Sequence, residues 1–120
     1  MLKEKVNQWR FHNSVYDYTV YLRVGGTIKE AAAEFNRLFN CTEEEDGTCE
    51  ACVFCAEGYS NNFIWFKEKP QAWLIAHESL HSVIFAMEAI GVPHCTPENQ
   101  EIYAHLLEWT VKNLTRRIWK

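Results

Sequence analysis

The segment Ala72–Met87 places the strongest constraint on the fold of this 120-residue chain. If the segment is helical, apolar residues occupy nearly its whole circumference, and the polar exceptions include His77, Glu78 and His81. A helix that is apolar on all sides is typical of the centre of a domain. The sequence therefore predicts a long buried helix over about Pro70–Ile90, with a glycine directly after it as a left-handed stop.

The remaining segments predict two pairs of strands and two more helices. Aromatic and β-branched residues mark the predicted strands, which are Lys5–Phe11, Val15–Val24, Cys49–Glu57 and Asn62–Lys67. Capping signals mark the other helices, which are Ile28–Phe39 behind a Thr27 capping box and a last helix from Pro97 toward Arg117 behind a Thr96 cap. The order ββ-α-ββ-α-α predicts one α+β domain over residues 1–120, with three helices on a small antiparallel sheet.

Composition excludes several classes of function. The chain carries 12 basic and 16 acidic residues, and its net charge of −4 is opposite to the basic balance of a nucleic-acid or anionic-membrane surface. No apolar stretch reaches the roughly 18 residues of a membrane span, and the first residues lack the apolar core of a signal peptide. We therefore expect a cytoplasmic protein that binds neither nucleic acid nor membranes.

His77, Glu78 and His81 form the pattern H-E-x-x-H. Two histidines at this spacing lie on one helix face about 6 Å apart, so their neutral imidazoles can hold one tetrahedral metal ion. Glu78 projects about 100° away from His77 and can reach a water on the metal, whose proton it would accept. Zinc is the expected cofactor, because imidazole and carboxylate ligands around an open position suit that ion.

A zinc site of this kind needs a third protein ligand, and Glu101 in the last helix is our choice. Other candidates in the same part of the chain are His94, Cys95, Glu98 and His105. One feature speaks against Glu101, since it shares with His105 a polar stripe opposite the apolar face of its helix. That stripe faces either solvent or the cleft of the site.

Two motifs resemble those of a known enzyme family. His77–His81 (HESLH) followed by Glu101–Ala104 (EIYA) is similar to the gluzincin pattern, in which a glutamate on a later helix completes the zinc site. The chain from about Gly25 to Asn113 resembles small metallopeptidases encoded by bacteriophages and prophages, with Phe63–Phe66 in the position of their apolar-Trp-apolar strand. It departs from them in a cysteine-rich insert and in the histidine that follows EIYA.

The resemblance implies a minimal zincin-like hydrolase that acts on a peptide or protein in the cytoplasm of a bacterial host. It makes His77, His81 and Glu101 the zinc ligands and Glu78 the general base. The alternative function is a non-catalytic zinc-binding phage protein that acts as an inhibitor or adaptor on a host protein. A third interpretation is a structural protein whose histidines are polar groups of the core.

Substrate contacts are also predicted. In zincins an edge strand beside the metal helix pairs with an extended substrate, and Asn62–Lys67 is the candidate strand. Its four consecutive apolar residues fit an ordinary core strand equally well. Tyr103 and His105 are candidates for contacting the substrate or an oxyanion, although Tyr103 falls on the apolar arc of its helix.

The chain has five cysteines, an odd number that argues against a closed set of disulfides. Thiolates of Cys41, Cys49, Cys52 and Cys55 would suit a second, structural metal. The run Cys49–Cys55 also has the character of a strand, in which Cys49 and Cys55 share one face and Cys52 points to the other. Reduced thiols that pack as small apolar residues are therefore the competing interpretation.

Overall fold

The computed structural model describes residues 6–45, 47–56 and 60–120. It confirms the α+β fold, with three helices and a four-stranded sheet. The elements are β1 (Asn7–Asn13), β2 (Tyr18–Val24), α1 (Ile28–Phe39), β3 (Ala51–Cys55), β4 (Asn62–Phe66), α2 (Ala72–Ala89) and α3 (Gln100–Ile118). Lys5 and Glu57, which end two of the predicted strands, lie outside the described residues.

The sheet has the strand order β1-β2-β4-β3 and is mixed, which corrects the prediction of an antiparallel sheet. β2 and β4 are parallel, with Val20 opposite Asn62 and Val24 opposite Phe66, whereas both outer pairs are antiparallel. Parallel neighbours need a long crossover, and here α1 and β3 lie in the chain between them. The order of elements in the sequence does not distinguish this pairing from consecutive hairpins.

Alternate residues of the two central strands contribute to two separate apolar cores. On one face, Leu22 of β2 and Ile64 of β4 pack with residues of α2 and α3. On the other face, Phe63 and Trp65 pack with residues of α1. Because both faces are covered, β2 and β4 are buried almost continuously along their length.

β4 is a central strand, buried at all five positions, so it is not the edge strand that the substrate-pairing prediction required. Its run of apolar residues is explained by burial on both faces of the sheet. The edges are β1 and β3, and β3 packs against α2. The strand edge beside the central helix is therefore formed by Ala51–Cys55.

Local signals place two helix ends as predicted. Thr27 Oγ1 accepts a hydrogen bond from the Glu30 N–H and the Glu30 carboxylate accepts one from the Thr27 N–H, both at 3.1 Å, so the capping box of α1 is present. Gly91 has φ +85° and follows the last turn of α2, where a left-handed stop was expected. None of the helices within the described residues combines the length and apolarity needed to cross a membrane.

The turn of the first hairpin lies further along the sequence than predicted. Asn13 Oδ1 accepts hydrogen bonds from the N–H groups of Val15 and Tyr16, and Asp17 adopts φ +49°, so β1 continues to Asn13 and β2 begins only at Tyr18. An asparagine side chain that bonds to the backbone two residues ahead initiates a turn by itself.

The last helix also begins later than predicted, behind Asn99 and not behind Thr96. The Asn99 N–H donates to the Thr96 carbonyl at 3.2 Å, and Asn99 Oδ1 accepts from the Thr96 N–H at 2.7 Å. These two bonds close a separate turn over residues 96–99, so the helix starts at Gln100.

Candidate metal and catalytic site

His77 and His81 lie one turn apart on α2, with their imidazole rings close together. Their Nε2 atoms are 3.2 Å apart, and the ring planes are inclined by 71°. Two nitrogens at roughly 2.0–2.1 Å from one tetrahedral ion are about 3.3–3.4 Å from each other, so the pair has the spacing of one edge of such a site. The structure thus brings together the two imidazoles in the way their spacing predicts.

Both imidazoles are exposed, which corrects the prediction of a helix buried on all sides. α2 packs one face on the sheet and one flank on α3. Within residues 6–45, 47–56 and 60–120 its outer face is left open, and there Trp73 is 70% and Leu80 is 47% exposed. The nearly continuous apolar circumference of α2 predicted packing on all sides, whereas the four-stranded sheet and one helix cover only part of it.

Glu78 has a different environment from the histidines on either side of it in the motif. It is only 7% exposed, and burial raises the pKa of its carboxyl, an effect that His77 and His81 partly offset. A carboxyl with a raised pKa holds a proton more readily near neutral pH, which suits a general base.

Glu78 also lies on the flank of α2 that faces the edge strand. The thiol of Cys52 in β3 has its pKa raised to about 12, by burial first and then by the negative charges of Glu45 and Glu78. α2 faces α3 through the flank that carries Leu80, and it also contacts β3. Glu78 projects about 200° around the helix from Leu80, so its carboxyl lies on the opposite flank, toward β3.

A buried polar cluster fixes the inner face of α2. The Ser82 hydroxyl is hydrogen-bonded to the Tyr18 hydroxyl, which also accepts a bond from Thr110 Oγ1 at 3.4 Å. Asn62 Nδ2 donates to the Ser82 carbonyl at 3.2 Å. Because these bonds tie β2, β4 and α3 to one turn of α2, they fix the rotation of the helix that directs His81 outward.

Sequence reasoning missed this cluster, although α2 contained a signal for it. Ser79 and Ser82 are the only hydroxyl residues in α2, and small polar residues inside an otherwise apolar helix usually have partners when buried. The partner Tyr18 lies far away in the sequence, at the start of β2. Burial raises the pKa of Tyr18 to about 12, so its hydroxyl keeps its proton at all physiological pH values.

The structure does not bring Glu101 to the imidazoles. Its side chain is 84% exposed, and its carboxylate lies 3.7 Å from Nε2 of His105, one turn along α3. The described part of the chain contains no group of three or more His, Cys, Asp or Glu side chains that could hold a metal ion. Gln100 and Ala104 line a depression together with Leu80 of α2, so the first turns of α3 lie beside the histidine face.

The two residues predicted to contact substrate have other surroundings. The Tyr103 hydroxyl donates to the Val92 carbonyl at 2.6 Å and so ties the α2–α3 link to α3. His105 lies beside a different depression, which also includes Tyr16 and Trp109. Neither arrangement favours a contact with a substrate at the histidine pair, whereas two alternative ligands, His94 and Cys95, line the depression beside Leu80.

Cys41, Cys52 and Cys55 are partly buried, as expected of packed, reduced thiols, whereas Cys49 and Cys95 are exposed. All five are free, and Cys41 and Cys52 pack against the apolar core under α1. The strand predicted for the end of this run is present as β3, and burial raises the pKa of both Cys52 and Cys55. The described residues give no support to a second metal site at Cys41, Cys49, Cys52 and Cys55, which remains a prediction.

The chain matches no protein family, no curated protein and no solved structure at a significant level. The resemblance to gluzincin-type phage metallopeptidases therefore stays a prediction from the HESLH and EIYA motifs and their order in the sequence. The arrangement of His77 and His81 is the structural observation that bears most directly on the choice between the candidate functions.

Proposed function

We propose that this protein is a zinc-dependent peptide hydrolase whose centre is formed by His77, Glu78 and His81. The observation that carries the proposal is the pair of Nε2 atoms 3.2 Å apart beside a buried carboxyl. Histidines that serve only as polar groups of a core would be buried and bonded to interior partners. Both of these imidazoles are exposed on an open helix face, so a structural role does not account for them.

Each residue has a defined role in this proposal. His77 and His81 would hold the ion through Nε2, and Glu101 is the proposed third protein ligand, since its helix starts beside the histidine face. A bound zinc ion supplies Lewis acidity and lowers the pKa of a bound water. Glu78 accepts the proton of the attacking water and passes it to the leaving amine. Burial suits Glu78 to this task, because it raises the proton affinity of the carboxyl.

An extended peptide is the substrate class that the neighbouring strand favours. β3 is an edge of the sheet and flanks α2 on the side of Glu78. The outer backbone groups of an edge strand are available to pair with an added strand. β3 therefore replaces β4 as the proposed substrate-pairing strand.

The decisive experiment measures zinc content and hydrolysis of a fluorogenic peptide library in the same samples. We expect zinc to be bound by the wild type and lost in the His77→Ala/His81→Ala double variant. Glu78→Gln should keep its zinc and lose activity by about 10²–10⁴-fold, the usual contribution of a general base. The control Glu88→Gln changes an exposed glutamate of the same helix and should retain both. Full zinc content in the double variant, or full activity in Glu78→Gln, contradicts the proposal.

A separate experiment identifies the third ligand by measuring the zinc affinity of single variants. We expect Glu101→Ala to weaken zinc binding much more than Glu98→Ala or His105→Ala, because a carboxylate ligand contributes directly to the metal site. A dominant effect of His94→Ala, from the other side of the same depression, would assign the third position to the α2–α3 link.

A non-catalytic zinc-binding inhibitor or adaptor is the second candidate function. It is favoured by the exposure of both imidazoles together with Trp73, which leaves the metal face accessible to a host protein that supplies further ligands. In that case the wild type binds zinc through His77 and His81 but hydrolyses none of the peptides.

A further inference from the structure

A depression of about 610 Å³ lies between α3 and the turn of the first hairpin, and it is termed here the hairpin depression. Arg116 lines it, and at about 100° per residue Arg116 projects about 180° around α3 from Leu107, which faces α2. The hairpin depression is therefore separate from the histidine face and from the chemistry proposed there. Its lining includes Val15, Tyr16, Glu108, Trp109, Lys112 and Arg116.

The lining of the hairpin depression is positively charged, although the chain as a whole carries a net charge of −4. Lys112 and Arg116, one turn apart on α3, contribute two cations, and Glu108 contributes one carboxylate. Within the described residues neither cation has an acidic group at ion-pair distance, whereas Arg23 pairs with Glu34 at 3.3 Å. These two cations are therefore available to the carboxylate of another molecule.

Apolar groups adjoin the two cations. The ring of Trp109 packs against Phe11 and Tyr18, with centroids 5.4 and 5.6 Å apart, and so is held in place while part of it stays accessible. Val15 is 82% exposed, although the Asn13 side chain fixes its backbone N–H in the turn. An apolar side chain held this openly beside a fixed aromatic ring is stabilised only when another molecule covers it.

We propose that the hairpin depression docks an acidic segment of a partner protein. A carboxylate of that segment pairs with Lys112 and Arg116, and a neighbouring apolar side chain packs on Trp109. Trp, Tyr and Arg are the residue types that contribute most to protein–protein binding, and this lining contains all three. The helix dipole favours basic residues near the end of α3, but it does not account for their position beside aromatic rings of another element.

The geometry favours a different protein over a second copy of this chain as the partner. The chain has its own acidic run of Glu43, Glu44 and Glu45, which lies along α1, on the opposite face of the sheet from α3. Docking of that run into the next copy would be a head-to-tail contact. Such a contact extends into a filament unless its rotation happens to close a ring, whereas a separate acidic partner forms a closed complex.

The experiment titrates two peptides into ¹⁵N-labelled protein. The probe is acetyl-Glu-Glu-Leu-Phe-Glu-Glu-amide, and its counterpart carries glutamine in place of every glutamate. The variant Lys112→Glu/Arg116→Glu reverses both cations of the site. Its matched control, Lys29→Glu/Lys67→Glu, changes the net charge by the same amount at two exposed lysines that do not line the hairpin depression.

A second variant tests the site without altering α3. Val15→Asp places a repelling charge on the hairpin side of the depression, at an exposed position of the turn. Its control is Ser14→Asp, which makes the same charge change at the neighbouring exposed residue outside the lining.

We expect the glutamate peptide to shift the amide resonances of Val15 and Arg116 and the indole resonance of Trp109. It should bind about fivefold more tightly than the glutamine peptide, the ratio that two exposed ion pairs of ordinary strength contribute. Lys112→Glu/Arg116→Glu should weaken binding by more than this factor, because attraction becomes repulsion. The control Lys29→Glu/Lys67→Glu should change it by less than about twofold, since salt screens distant charges.

Equal binding of the two peptides overturns the proposal, and so does unchanged binding in both Lys112→Glu/Arg116→Glu and Val15→Asp. Tighter binding of oligothymidylate than of the glutamate peptide would assign the depression to nucleic acid. An assembly in sedimentation that Lys112→Glu/Arg116→Glu dissociates would assign it to a second copy, and either result overturns the assignment to a partner protein. None of these measurements needs zinc or hydrolysis, so their outcome is independent of the proposed function.

Discussion

The two faces of α2 are both rich in apolar residues, yet only one of them packs against the rest of the domain. On the inner face Ile75, Val83 and Met87 are almost completely buried against the sheet and α3. On the outer face Trp73 and Leu80 are largely exposed next to the histidines. Core packing accounts for the inner residues and not for the outer ones. Exposed apolar residues grouped around polar side chains are typical of binding surfaces, so the outer face is where function is to be sought.

The largest difference in the free energy of unfolding is expected between Ile75→Ala and Trp73→Ala. Ile75 is 1% exposed, so its truncation should lower the free energy of unfolding by about 2–5 kcal/mol, the cost of the lost burial and of the cavity. Trp73→Ala, two residues away and exposed, should change it by no more than about 0.5 kcal/mol. Urea unfolding of the metal-free proteins measures both. Similar losses in the two variants would mean that the outer face is also part of the core.

Local signals in the sequence predicted those parts of the structure that depend on neighbours in the chain. The capping box at Thr27 and Glu30 fixes the start of α1 from four residues alone. Helical spacing likewise brings His77 and His81 together, without information from the rest of the chain. Predictions of this kind succeed because the interactions that determine the structure lie within one or two helical turns of the residues concerned.

Features that depend on distant partners were not predictable in the same way. The parallel pairing of β2 with β4 depends on contacts between segments far apart in the sequence, and the apolar character of both strands does not encode which strands are neighbours. The exposure of His77 depends on how many elements pack around α2. The surroundings of Glu101 depend on the rotation of α3 about its axis, and its place on the polar stripe was the only local hint of exposure.

The second prediction concerns the proton on Tyr18. Burial raises its pKa from 10.0 to about 12, so between these pH values the unfolded chain loses a proton that the folded protein retains. Stability contributed by this group is therefore complete below pH 10 and is lost as the pH rises toward 12, by up to about 3 kcal/mol. The difference in unfolding free energy between wild type and Tyr18→Phe should shrink over this range. The control Tyr16→Phe, in the same hairpin, should leave the wild-type pH profile unchanged.

The third prediction concerns stabilisation by zinc through the outer face. A ligand that binds only the folded state adds about 2.7 kcal/mol at 100 times its dissociation constant. We expect zinc to raise the thermal midpoint of the wild type and to leave that of the His77→Ala/His81→Ala variant unchanged. Without metal the two proteins should unfold at nearly the same temperature, because both imidazoles are exposed. A large loss of metal-free stability in the variant would show that the histidines belong to the core after all.

The smallest expected effects distinguish two serines on the inner face of α2. Ser82→Ala removes the hydrogen bond to the Tyr18 hydroxyl and leaves that buried group with only the longer bond from Thr110, so it should cost about 1–2 kcal/mol. The hydroxyl of Ser79 is equally buried but has no hydrogen-bond partner within the described residues. Its removal relieves an uncompensated desolvation, so Ser79→Ala should be neutral or stabilise the protein by up to about 1 kcal/mol. Urea unfolding of the metal-free proteins resolves the two outcomes. A loss in Ser79→Ala as large as that in Ser82→Ala would mean that an internal water bonds to the Ser79 hydroxyl, which would make it a second polar anchor of the inner face.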